Sequence, residues 1–391
     1  MRSAAVPSLM WCVFGITTGE FVIAGILPDI AGDLTVSIPV AGLLVTSYAI
    51  GMIVGGPVLT ALTTRFPRKP LMLTLLAVAV AGNLASALAP VYPVLFAGRM
   101  ITALVTSTFF ANAIVIAAST APPGRQAATV SKLVFGMNLS MILGAPIGTF
   151  IGNDHGWRAT FAVIAACCAL GFALVLWLVP DVRDAAPATS AVAELRVFRS
   201  RDVQLAIAVT AVANAGLLMV FTFFASLVTD VAGFATEAVA VLLLVYGLGA
   251  AAGNLAGGRL SDRAPMASQL GLLAALAAAL VLTWTTAGST VAVGIMVFVL
   301  GALGFSVIPG MQARVLTTAA AAPTLAMAVN ASAYQLAAAF AAWLGGRVID
   351  GGLGLRSIYL AGAAVTVLGI AVSLSAWLRD RRASKAESVP V

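Results

Sequence analysis

The chain has 391 residues, of which 61% are hydrophobic and only 9% charged, against roughly a quarter charged in soluble domains. That composition excludes a soluble globular protein. The formal charge of +7 would suit an acidic partner such as nucleic acid, but the basic residues lie between apolar runs and form no patch, so the charge reports orientation instead.

In chain order, apolar runs long enough to cross a hydrocarbon core of about 30 Å occupy 8–29, 38–63, 70–90, 94–118, 128–152 and 159–179, then 203–229, 238–260, 267–287, 290–313, 325–348 and 357–378. These twelve runs are predicted to be transmembrane helices, because lipid cannot satisfy open backbone groups and barrel-type alternation is missing. The first run is too long for a cleaved signal peptide and is expected to remain as helix 1. Cys12, Cys167 and Cys168 fall inside runs, so no disulfide framework is implied. Seventeen of the twenty-one basic residues fall in the N-terminus, the even-to-odd connections or the C-terminal tail, which puts both termini in the cytoplasm.

An internal repeat adds to this. YAIGMIVGGPVLTALTTRFP from Tyr48 aligns without gaps to YGLGAAAGNLAGGRLSDRAP from Tyr246, an offset of 198 residues. It pairs Gly51 with Gly249, Gly55 with Gly253, Arg65 with Arg263 and, further on, Arg158 with Arg356. Two six-helix halves follow, 1–180 and 203–378, with a polar linker at 181–202 and a tail at 379–391. Close packing through small residues accounts for the glycines but not for the Tyr and Arg matches. Duplicated halves suit a transporter that rocks about a midplane site.

With these residues in view the chain resembles the major facilitator superfamily, and within it the twelve-helix drug/proton antiporter group. The loop signature of that superfamily appears as GGRLSDR, with Gly258, Asp262 and Arg263. In the first half it is degraded to TALTTRFPRK, which keeps Arg65, Arg68 and Lys69 but has Thr64 where Asp is expected. The resemblance implies a charge latch in the second half; ordinary positive-inside charges are the alternative. GMNLSMILGAPIGTFIG, with Gly136, Gly144, Pro146, Gly148 and Gly152, resembles the motif of drug-exporting members. A proline-bent, closely packed helix fits the same residues. GWRATF, with Trp157 and Arg158, also resembles the export group, and interfacial anchoring explains it. TGEFVIAGILPDIAGDL is similar to helix 1 of a subgroup that includes chloramphenicol-resistance, sugar-efflux and purine-efflux proteins.

Glu20 is the only one of the fourteen acids that falls near the middle of a span. Intramembrane acids are costly and usually mark an ion or substrate path. Thr17 shares its helical face. Arg99, Thr102, Thr106 and Phe110 form one stripe in helix 4, and the family resemblance puts helices 1, 4, 7 and 10 around a central cavity. Arg99 also matches the basic residue that the family associates with proton transfer. Glu20 and Arg99 are therefore expected to couple protons, although a structural acid bonded to a carbonyl or to Thr17 fits the sequence too. Asn138, Met141, Asn214, Phe221 and Tyr334 are expected to contact substrate, or else to link helices.

The chain is not expected to be an enzyme: its single histidine, His155, lies in a loop and no metal-binding spacing occurs. No cofactor is expected beyond a proton gradient. The sequence thus points to an all-α protein of a bacterial plasma membrane, acting as a monomer. It would export a small organic molecule in exchange for protons, drug-like and chloramphenicol-type or, alternatively, a sugar or purine nucleoside. A channel or sensor is the reading from another class.

Overall fold

The computed structural model describes residues 2–63, 66–121, 126–181, 200–318 and 323–387, and its regular elements there are helical. Large apolar side chains such as Phe150, Trp177, Val291 and Ile295 face outward, the reverse of a soluble surface and the expected arrangement in lipid. Ten helices are long and apolar enough to span a membrane, and a bent pair brings the number to eleven among the described residues. The sequence reading expects twelve. The remaining run lies in Pro323–Val348, a helix of 26 residues that is not among those eleven.

The chain divides into two compact units, one comprising Met1–Ala186 with Thr222–Leu244, the other Pro187–Phe221 with Val245–Val391. The first contains α1 (Arg2–Phe21), α2 (Ile23–Asp33), α3 (Ile38–Thr63) and α4 (Arg68–Ala87). It continues with α5 (Tyr92–Thr120), α6 (Gln126–Leu139), α7 (Ala145–His155) and α8 (Trp157–Leu178).

The first expected span is corrected by the structure. It is two helices, α1 and α2, bent by 50° at Val22. The fifth span is also interrupted, since a π-turn at Ser140–Gly144 separates α6 from α7. Pro146 follows directly; it has no N–H and its ring crowds the carbonyl four residues back, which the wider π-turn accommodates. In the seventh span Arg201–Thr222 ends at Phe223, and a short helix and a π-turn at Leu227–Val231 continue it.

Glycines set the packing of the first unit. A Cβ at Gly136 would lie 2.7 Å from Met10 Cγ, at Gly148 2.6 Å from Val22 Cγ2, and at Gly152 2.8 Å from Ile26 Cγ2, while one at Gly144 would collide with the Thr18 hydroxyl. Each pair has the same offset in sequence, so the glycine face of α6–α7 runs alongside α1–α2 and straddles the break. On the other side of α1, Gly171 approaches Cys12 Sγ, 2.8 Å from an added Cβ. Gly51 meets Ala103 and Met100 in the same way.

Corresponding contacts recur inside the second unit, where Gly369 approaches Ala213 and Gly249 approaches Phe298. Its core gathers Val209, Ala213, Leu273, Val307 and Met311.

Candidate functional site

The break in α1 is where the chemistry collects. The last carbonyls of a helix have no intrahelical donor, and the Thr18 carbonyl is met by the Val22 N–H at 3.0 Å. The Gly19 carbonyl is met by Arg99 Nη1, reaching across from α5, at 2.5 Å. An inserted side chain of this kind is a recognised cause of a sharp kink. Gly19 permits it because no side chain stands between Arg99 and the α1 backbone; a Cβ there would lie 3.7 Å from Arg99 Nη1 and 3.6 Å from Asn83 Oδ1.

Arg99 is 1% exposed. Its guanidinium carbon lies 4.4 Å from the centroid of the Tyr48 ring and 5.8 Å from that of Phe161, so aromatic faces supply part of what water would have given a buried cation. Nε and Nη2 have no hydrogen-bond partner among the described residues. The Tyr48 hydroxyl pairs with that of Thr106 at 3.1 Å. Glu20, half-buried and next to Gly19, interacts electrostatically with both Arg99 and Tyr48. The acid and the base picked out in the sequence therefore act on one another electrostatically, beside a helix break that the sequence reading does not contain.

The other expected residues divide. Thr17 donates to the Val13 carbonyl within its own helix. Thr102 is buried against Gly82 of α4 and donates to the Gly98 carbonyl at 3.0 Å. Phe110 and Asn138 are half-buried, and Met141 is buried in the π-turn. Asn214 belongs to the second unit, where its amide donates to the Thr210 carbonyl at 2.8 Å and to Met311 Sδ at 3.4 Å. Phe221 packs on Tyr246 with centroids 5.3 Å apart, and Tyr334 interacts electrostatically with the same Tyr246.

Gly144, Pro146 and Gly148 belong to the groove alongside α1. Arg65 lies outside the described residues. Asp262 and Arg263 are exposed at the end of their helix, and Gly258 has open space beside it. The close approach is made by its neighbour Gly257, which faces the Ser306 backbone. Sequence reasoning gives no site role to Tyr48, Asn83 and Phe161; Tyr48 carried a signal in its match to Tyr246 and Phe161 one as the end of GWRATF.

At the end of the first unit that carries Asp33, Arg158 ties three segments. Its Nη1 donates to Asp33 Oδ2 at 2.5 Å and its Nη2 to the Ala89 carbonyl at 2.9 Å, while Trp157 Nε1 donates to the same carboxylate oxygen at 3.1 Å. Arg356, its repeat counterpart, donates to the Trp284 carbonyl at 2.7 Å. GWRATF is therefore more than an interfacial anchor.

A profile of the Major Facilitator Superfamily matches residues 9–324. The chain belongs to the major facilitator superfamily. It is 34% identical over 378 residues to the uncharacterized MFS-type transporter YfhI of Bacillus subtilis, covering 96% of this chain and 94% of that one. It is 36% identical over 335 residues, 84% of each chain, to the chloramphenicol resistance protein of Streptomyces lividans. It is 26% identical over 365 residues to a probable sugar efflux transporter of Mannheimia succiniciproducens, covering 93% and 91% of the two chains. The fold is similar to that of a bacterial homolog of the human lysosomal transporter Spinster, with a TM-score of 0.74, 16% identity and 96% of each chain covered.

As a member of the superfamily the chain is a multi-pass membrane protein and a secondary transporter of small organic molecules, a class that moves its substrates and does not convert them. Among the described residues no group of three or more metal-ligating side chains occurs.

Proposed function

We propose that this superfamily member exports a small, neutral, hydroxyl-bearing molecule, a sugar or a nucleoside, in exchange for protons. Glu20 carries the coupled proton. The observation that carries the reading is Arg99 on the Gly19 carbonyl at the broken end of α1, with Glu20 the next residue in sequence: a half-buried acid that interacts electrostatically with a fixed buried cation at an opened helix end. Discontinuous helices in transporters commonly form the sites where substrate and coupling ion bind.

Protonation from outside removes the charge of Glu20 and lets the carrier turn; substrate entering from the cytoplasm meets the acid as it releases that proton inward. Export as the direction is supported by the resemblance of the glycine face of α6–α7 to the motif of exporting members. Twelve spans in two six-helix halves at 1–180 and 203–378, with both termini in the cytoplasm of a bacterial cell, complete the reading. The matching approaches of Gly171 to Cys12 and Gly369 to Ala213 support the halves. The protein acts as a monomer, with Arg65, Gly258, Asp262 and Arg263 in cytoplasmic latches.

The choice of a sugar or nucleoside is supported by the whole-length match to the probable sugar efflux transporter. A second reading, export of a chloramphenicol-type drug, is favoured by the higher identity to the Streptomyces lividans protein. Proteoliposomes preloaded with D-xylose, uridine or chloramphenicol and given a pH gradient test both. The reading expects solute to leave the side that protons enter; solute moving with the protons would make the protein a symporter and overturn it.

A further inference from the structure

We propose that the second unit carries a stacking subsite for a planar ring, formed by Phe221, Tyr246, Phe305 and Tyr334. The inference rests on the export reading and narrows it to neutral, hydroxyl-bearing molecules that contain a flat unsaturated ring, a nucleoside before a free sugar.

Four helices contribute one ring each: Arg201–Thr222, Ala238–Arg263, Thr290–Ser306 and Pro323–Val348. Tyr246 is buried at the centre. Phe221 lies 5.3 Å from it at an interplanar angle of 31°, and Phe305 lies 6.4 Å away at 88°, edge to face. Tyr334 is the fourth, close enough to act electrostatically on Tyr246. Phe221, Phe305 and Tyr334 are each only half-buried, so the cluster keeps ring surface open around a filled centre. The packed core of the unit is elsewhere and aliphatic, at Val209, Leu273, Val307 and their neighbours.

The repeat says what this position does. DIAG at Asp29–Gly32 and DVAG at Asp230–Gly233 align at an offset of 201 residues. That register pairs the break at Val22 with the break at Phe223, and it pairs Glu20 with Phe221. Tyr246 is the counterpart of Tyr48, and Val297 that of Arg99. Beside the break at Val22, then, stand an acid and a cation, the cation lying over Tyr48, whereas just before the break at Phe223 a phenyl ring lies over Tyr246, with no charge at either position. The same architectural position that handles a proton in one unit presents polarisable faces in the other. Such faces gain most from planar π systems, whose stacking on aromatic side chains is sequence-tolerant and strong. A saturated sugar gains far less.

The test uses the full chain purified in detergent, with equilibrium binding of uridine, chloramphenicol and D-xylose to wild type, Phe221→Leu, Phe221→Ala and Phe305→Ala. Phe221→Leu keeps apolar volume and removes only the ring, which guards against misfolding. Uridine and chloramphenicol should bind about tenfold more weakly to the Leu variant, equivalent to about 1.4 kcal/mol, while D-xylose changes less than twofold. Unchanged binding of the planar compounds, equal losses for all three, or no binding of either planar compound to wild type would each overturn the subsite. Proton release is recorded in the same samples: if binding and its dependence on Phe221 hold but no proton appears, the subsite stands and the proton-export reading fails.

Discussion

Gly148→Ala probes the contact between the glycine face and the break in α1. The added Cβ would lie 2.6 Å from Val22 Cγ2 and 3.2 Å from Thr160 Cγ2, where ordinary contact begins at 3.4 Å. Val22 must therefore yield by roughly 0.8 Å, and a fully buried β-branched side chain has little rotamer freedom with which to do so. Thr160 cannot give way freely either, since its hydroxyl donates to the Gly148 carbonyl at 2.7 Å. Overpacking of this kind costs about 1 to 3 kcal/mol. The assay is a double-mutant cycle on stability in detergent, with Val22→Ala as the second substitution, because it removes the atom that clashes. The double variant should be more stable than the sum of the singles by about 1 kcal/mol or more, as expected of residues in contact. Gly258→Ala, with open space beside it, is the control and should cost nothing measurable. Additive effects of Gly148→Ala and Val22→Ala would refute the contact, and so would a Gly148→Ala protein as stable as the control.

Three further outcomes follow from the geometry. Arg99→Ala leaves the Gly19 carbonyl without its donor and should cost at least about 1 to 3 kcal/mol; Arg99→Lys should recover little transport, because an ammonium cannot lie flat on Tyr48 while reaching Gly19. Asp33→Ala removes an ion pair worth under about 1 kcal/mol and also frees the Trp157 indole N–H, while Arg158→Ala removes the same pair and frees the Ala89 carbonyl, so each should lower stability in a thermal assay by more than the exposed pair alone. Cysteines placed at the exposed positions Ser37 and Ser289 should label from outside intact cells and one at Ala264 should not; the reverse pattern would invert the topology.

Eleven of the helical spans could be read from the sequence because apolar length alone dictates them, and Gly51 and Gly249, which the repeat pairs, make the same kind of approach to the next-but-one span. That Glu20 and Arg99 act on one another electrostatically could also be foreseen, since Glu20 is the one acid near the middle of its run and Arg99 the one charge of its own. The break at Val22 could not be read locally. No proline or glycine stands at that residue; the partner of the freed Gly19 carbonyl is Arg99, eighty residues away in sequence. Its trace in the sequence is the change of register from 198 to 201 residues between Tyr48 and Asp29, which only gains meaning once two breaks are seen. Thr102 shows the opposite failure: helical spacing put it on the stripe of Arg99, but that face of the helix is pressed on Gly82.

The central claim is that Glu20 carries the proton. Glu20→Gln keeps the shape of the protonated acid and cannot release a proton, so the measurement is proton release on adding uridine to the purified protein, alongside gradient-driven efflux from proteoliposomes. Wild type should release protons and drive efflux; the Gln variant should bind uridine, release none and lose gradient-driven transport. Full proton release together with full gradient-driven transport in Glu20→Gln would contradict the account and make Glu20 a structural acid.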